Sequence, residues 1–201
     1  MSLLEEVYPA PVKERLVIFV IDTNEKIDGY TMGITKILLE DSVRTINQIM
    51  SNCYDDVRIK LAVLQYGGCS WVTSENEPIN VEEFFLNDYS EHDMKGLGQA
   101  LSELNQKLDR KGFMKTGIVW HPPIIIFIGS GHTNENLDKE IYELKNNNWY
   151  KHSIKIGVMT DIQSNTTLFE RLTGNVEAVF KITEMKTLHT LLNRIFFDYT
   201  S

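Results

Sequence analysis

"RLVIFVIDTNEKID", residues 15–28, decides how the rest of the chain is read. Its first half is a continuous β-branched and aromatic run, the pattern of a strand buried on both faces. The run stops at Asp22. Polar residues then stand at every second position: Asp22, Asn24, Lys26 and Asp28. Loops at the carboxyl ends of strands form the functional crevice of an α/β sheet, so a polar loop directly after a buried strand is a candidate site.

Outward from this stretch, strands and helices alternate. Residues 1–14 are expected to be an irregular lead-in, because Pro9 and Pro11 break both helix and ladder. A helix is predicted over 31–50, where Ile34, Leu38, Val43, Ile46 and Met50 recur at helical spacing. "VRIKLAVLQYG", 57–67, is the next strand, and "SWVT", 70–73, is its hairpin partner. The polar region 74–93 is read as loop with one short helix. Asp93 is a candidate cap for a helix carrying Met94, Leu97, Leu101, Leu104 and Leu108, in which Gly98 and Ala100 allow close approach to the sheet.

"KGFMKTGIVWH" is read as a loop ended by Pro122 and Pro123, and "IIIFIG", 124–129, as the central strand. A helix through Leu137, Ile141 and Leu144, a strand at 154–160, a short helix stopped at Gly174, a strand at 176–182 and a final helix with Leu188, Leu191, Leu192, Ile195 and Phe196 inward complete the chain. The alternation predicts one domain over 15–201. It is a three-layer α/β/α Rossmann-like fold, with a mostly parallel sheet, one antiparallel edge strand and helices on both faces. Four loops then meet at one sheet edge: Asp22–Asp28, the acidic loop through Lys95, Gly129–Thr133 and Thr160–Asn165.

Composition bounds the function. With 201 residues, 42% hydrophobic and 24% charged, the chain is globular and long enough to bury a core without disulfides or metals. A net charge of −8 repels phosphates, which argues against nucleic acid and anionic membranes as partners. The start of the chain has no apolar run of signal-peptide length, and no stretch has the apolar length of a membrane span. The two cysteines, Cys53 and Cys69, have no CxxC spacing and suit a reduced compartment. A cytoplasmic protein is expected.

Three stretches together resemble the von Willebrand factor type A (VWA) domain, over about residues 15–196, and most of all the bacterial VWA proteins of tellurium-resistance gene clusters. They are "RLVIFVIDTNEKID", "MKGLGQAL" at 94–101 and "PPIIIFIGSG" at 122–131. The resemblance implies a protein-binding module. It also implies a metal-ion-dependent adhesion site, or MIDAS, with the pattern Asp-x-Ser-x-Ser, then a threonine, then an aspartate. Carried over by position, these ligands fall on Asp22, Asn24, Lys26, Lys95 and Ser130. Only the first is kept in type.

A hard cation such as Mg²⁺ needs an octahedron of oxygens, and an ammonium has no lone pair to give. At about 4 Å from a dication it would be repelled by roughly 8 kcal/mol even at an effective dielectric near 20. The expected site is therefore a degenerate MIDAS holding neither metal nor other cofactor, with Lys26 or Lys95 paired to Asp22; Mg²⁺ binding is the alternative. The implied role is non-catalytic, a scaffold or adaptor beside tellurite-resistance or stress-response proteins. Tyr66 and Trp71, if exposed, and His132 and Asp161 at the crevice are candidate contacts for a protein partner.

Rival chemistries are weaker. Asp22-Thr23-Asn24 lacks the second carboxylate of an Asp-x-Asp phosphotransferase loop. "IGSGH" is not a nucleophile elbow, although Asp22, Ser130 and His132 include the residue types of a hydrolase triad. No Walker loop, G-x-G-x-x-G or zinc-ligand spacing occurs. A metal-dependent hydrolase or phosphotransferase using Asp22 remains the alternative from the enzyme class.

Overall fold

The structure, a computed structural model, describes residues 13–23, 29–52, 57–66, 70–74, 76–85, 96–161, 166–181, 190 and 192–194. Its centre is β1 (Lys13–Ile21), whose residues Leu16 to Ile21 have no exposed surface. Burial of each such side chain is worth roughly 1.5–3 kcal/mol over leaving it in water. The alternation of a strand divides them between two cores. Leu16, Ile18 and Val20 point to one, and Val17, Phe19 and Ile21 to the other.

β1 pairs in parallel with β2 (Val57–Gln65) on one side and β5 (Val119–Gly129) on the other. β6 (Ile154–Met159) and β7 (Val179–Lys181) extend the sheet in parallel beyond β5. The antiparallel edge is built from two short pieces, β3 (Ser70–Trp71) and β4 (Ile79–Asn80), both pairing with β2. The order is β3-β2-β1-β5-β6-β7, with β4 also on β2. The chain builds outward from β1 to one side and later from β5 to the other, so the topology switches between these two strands.

Helices cover both faces. α1 (Gly29–Asn52) supplies Leu38, Leu39, Val43, Ile46 and Ile49 to one core, joined by Leu192 of the final helix. α2 (Leu97–Lys107), α3 (Asp138–Asn146), α4 (Asn148–His152) and α5 (Thr167–Thr173) cover the other. α5 ends as expected at Gly174, whose φ of 74° is left-handed and costs a glycine little. The three-layer Rossmann-like architecture expected from the alternation is present. Among the described residues, no helix is long and apolar enough to cross a membrane.

Several boundaries differ from the sequence reading. β1 begins at Lys13, inside the expected lead-in. β5 begins at Val119 and carries both prolines, where a loop was expected. The register between β1 and β5 slips there, Arg15 facing His121 and Val17 facing Ile124, and such a bulge tolerates residues that cannot donate to a ladder. The loop before it is not solvated filler, because Phe113 and Met114 are buried in the core. Residues Val176–Ala178 form a 3-10 turn rather than the start of the last strand. α4 was not expected at all; Asn147 starts it by accepting from the N–H groups of Trp149 and Tyr150. The cysteines, Asp93, Met94, Leu188, Leu191, Ile195 and Phe196 lie outside the described residues.

Candidate functional site

The carboxyl ends of β1, β2 and β6 each run one residue past the strand with the ladder still formed. Asp22 donates its N–H to the Ile128 carbonyl at 2.8 Å, Tyr66 to Ile21 at 3.0 Å and Thr160 to Gly129 at 2.9 Å. These bonds fix Asp22, Tyr66 and Thr160 on one rim, at the switch point of the sheet.

Asp22 is the centre of this rim and is only 2% exposed. Its Oδ2 accepts the Ser130 hydroxyl at 3.1 Å and lies 3.4 Å from the Ser130 amide nitrogen, which donates to it. The Tyr66 hydroxyl is a further partner. Burial, the charge of Asp22 and the hydrogen bond to it, in that order, raise the Tyr66 pKa well above the ordinary phenol value. An anionic phenolate is thus excluded at neutral pH, and Tyr66 serves Asp22 as a donor. Gly129 makes this convergence possible. A Cβ there would stand 2.6 Å from the Asp22 Cβ and would run into the Tyr66 hydroxyl.

A second layer bridges the loops after β5 and β6. The His132 amide donates to the Ser130 hydroxyl at 3.3 Å, and His132 Nε2 lies 3.3 Å from Asp161 Oδ2. The His132 side chain is 70% exposed, so this pair stands at the open edge of the crevice rather than within it. Asp22, Ser130 and His132 of the loop after β5, and Asp161, from three separate loops, are therefore brought together on one rim. Asn24, Lys26 and Lys95 lie outside the described residues, and so does the expected pairing of Lys26 or Lys95 with Asp22.

The two aromatic candidates are corrected. Tyr66 and Trp71 are 8% and 9% exposed and offer no surface to a partner. Tyr66 is turned inward by Asp22. Trp71 packs edge-on against Phe113, ring centres 4.9 Å apart, and donates its indole N–H to Glu103 at 3.1 Å. An aromatic beside a hairpin turn is covered here by α2 and by the buried loop that follows it.

Sequence reasoning missed Glu135. Its carboxylate accepts from the N–H groups of Leu97 at 2.8 Å and Gly98 at 3.0 Å, the open donors at the start of α2. The cap at that end is Gly96, whose lack of a side chain leaves the donors to a residue from another loop. A Cβ on Gly96 would overlap the Glu135 carboxylate, and one on Gly98 would lie 2.9 Å from it. The small residues of "GLG" thus make room for this carboxylate, not for the sheet. The available signal was that pair of glycines at a helix start together with an acid in the loop after the central strand.

Fold and rim define the class first: a three-layer α/β domain with its crevice at the ends of β1 and β5. The sequence matches no protein-family model and no curated protein. Solved structures place the fold more narrowly. Proximal thread matrix protein 1 from the mussel byssus superposes with a TM-score of 0.63 at 14% identity, over 91% of this chain and 48% of that one. A von Willebrand factor type A protein from Catenulispora acidiphila superposes at 0.58 and 14% identity, over 92% and 42%. A second structure of the byssus protein, described with a zinc-occupied MIDAS motif, gives 0.58 at 11% identity, over 92% and 46%. The chain spans less than half the length of these proteins, and the likeness is one of fold.

Proposed function

We propose that this chain is a non-catalytic, protein-binding module of the VWA kind, acting in the cytoplasm as a scaffold or adaptor, with a crevice that works without a metal ion. The observation that carries this reading is the state of Asp22. Its carboxylate is buried and already met by the Ser130 hydroxyl and amide and by the Tyr66 hydroxyl. A carboxylate satisfied by protein donors has no need of a dication, and Ser130 stands where the motif would place a second carboxylate. Two lysines at motif positions, Lys26 and Lys95, add positive charge to a set that should supply negative.

A metal-dependent adhesion module is the second reading, favoured by the retained Asp22–Ser130 oxygen pair and by the zinc-occupied MIDAS of the byssus structure. Thermal melting decides between them, because a specific ion binds only the folded form and raises its melting temperature. The expected outcome is the same melting temperature in EDTA and in millimolar Mg²⁺ or Mn²⁺. A saturable rise with either ion overturns the metal-free reading. Phosphatase or esterase activity that disappears in Asp22→Asn would overturn the non-catalytic one. The tellurite-resistance or stress-response setting rests on sequence resemblance alone, and growth on tellurite after deletion of the gene checks it.

A further inference from the structure

At the amino end of the sheet, opposite the crevice, β1 opens with Lys13, Glu14 and Arg15, and β5 carries His121. Alternation puts Lys13 and Arg15 on one face of β1 and Glu14 on the other, in register with Arg58 and Trp120. Arg15 is in register with His121 on the neighbouring strand, directly before the bulge where the prolines enter β5. Paired residues of adjacent strands share a face about 5 Å apart. Lys13, Arg15 and His121 therefore form one basic cluster, drawn from two strands distant in sequence.

The cluster grades from surface to interior. Lys13 is exposed, His121 is half-buried and Arg15 is 2% exposed. The Nε2 atom of His121 is buried and meets no hydrogen-bond partner among the described residues. Buried polar atoms are met as a rule, so an unmet one calls for a missing partner. The charges that face it are positive. Burial first, then the charges of Arg15 and Lys13, lower the His121 pKa, and no carboxylate among the described residues opposes them. A guanidinium carries five N–H donors, so Arg15 can hold a partner within the fold and still donate outward.

A water at Nε2 would meet the atom but leave like charges facing one another; an anion does both. A carboxylate has two oxygens, and a guanidinium takes both in a bidentate pair, whereas a phosphate has oxygens left for His121 and Lys13. The mean field of a chain with net charge −8 opposes phosphate, but salt screens acids beyond about 8–10 Å and does not screen cations in contact.

We infer that Lys13, Arg15 and His121 form a binding site for a phosphate group, free or carried by a small metabolite. Arg15 donates from the floor, His121 Nε2–H from the side, and Lys13 closes the mouth as a mobile point charge. The site lies at the opposite end of the sheet from Asp22 and is independent of how the crevice works.

The test uses the full chain in phosphate-free buffer at constant ionic strength, with inorganic phosphate and ribose 5-phosphate as probes. Thermal melting should show a saturable rise, since a specific ligand binds only the folded form. Lys13→Gln, at an exposed position, should leave the melting temperature without ligand unchanged and weaken binding at least about fivefold. Lys139→Gln, an exposed lysine on α3, should leave binding as it is. In NMR, the His121 imidazole should titrate at higher pH once phosphate is bound, because the anion favours the protonated ring. A rise with both probes, or with one, supports the site, and the stronger probe says whether the phosphate is free or carried. No saturable rise below about 10 mM of either probe overturns the inference. So does binding that Lys13→Gln leaves untouched, or a His121 titration that phosphate does not move.

Discussion

Tyr66 shows how a buried carboxylate is kept. Asp22 cannot be left without donors in a low-dielectric rim, where an unmet charged group costs several kcal/mol. Ser130 and Tyr66 provide them. Tyr66→Phe removes one donor and leaves Ser130, so it should destabilise the chain by about 1–3 kcal/mol in urea denaturation. The pH dependence has a definite sign. The folded-state pKa of Tyr66 is raised, so its contribution is full below the unfolded phenol value of about 10 and is lost as pH rises through the higher folded value. Wild-type stability should fall steeply in that alkaline window. The fall should be shallower in Tyr66→Phe, although Tyr150, also raised by burial, keeps part of it. An identical alkaline slope in the two proteins would refute the donor role.

At the scale of elements, α2 depends on a residue from outside itself. Its first turn has no side-chain cap of its own, and Glu135 from the loop after β5 takes the N–H groups of Leu97 and Gly98. A carboxylate at the positive end of a helix adds a favourable charge–dipole term. Glu135→Ala should cost about 0.5–2 kcal/mol, the range for a lost N-cap, and Glu135→Gln less, since an amide oxygen still accepts. Equilibrium unfolding of both variants checks the order; equal losses would mean that the charge, not the hydrogen bonds, stabilises α2. The apolar spacing at Leu97, Leu101 and Leu104 made this helix legible in advance, but its partner was not. Helical periodicity is local, whereas Glu135 and Leu97 are joined only because β5 ends beside the start of α2.

Across the whole molecule, stability should be graded from the centre of the sheet to its edge. β1 and β5 are buried on both faces and flanked by strands on both sides, while β3 and β4 are two-residue pieces at an edge. Native-state hydrogen exchange should find the amides of Val17 to Val20 and Ile125 to Phe127 exchanging only through global unfolding. Those of Trp71 and Asn80 should exchange through smaller openings, and uniform protection would contradict this gradient.

Much of the architecture is legible in the sequence. The apolar runs at 15–21 and 124–129 marked the central strands because a strand buried on both faces has no reason to alternate. The long spacing of α1 and the stop at Gly174 were equally local signals. What only the tertiary structure decided was which polar and aromatic groups meet. It turned Tyr66 and Trp71 inward, drew Ser130 onto Asp22 and His132 onto Asp161, set Glu135 on α2 and left Phe85 in the open. The physical reason is one of range. Propensity and periodicity act over a few residues, but the partner of a buried charge, and the exposure of an aromatic, are set by strand order and register acting across more than a hundred.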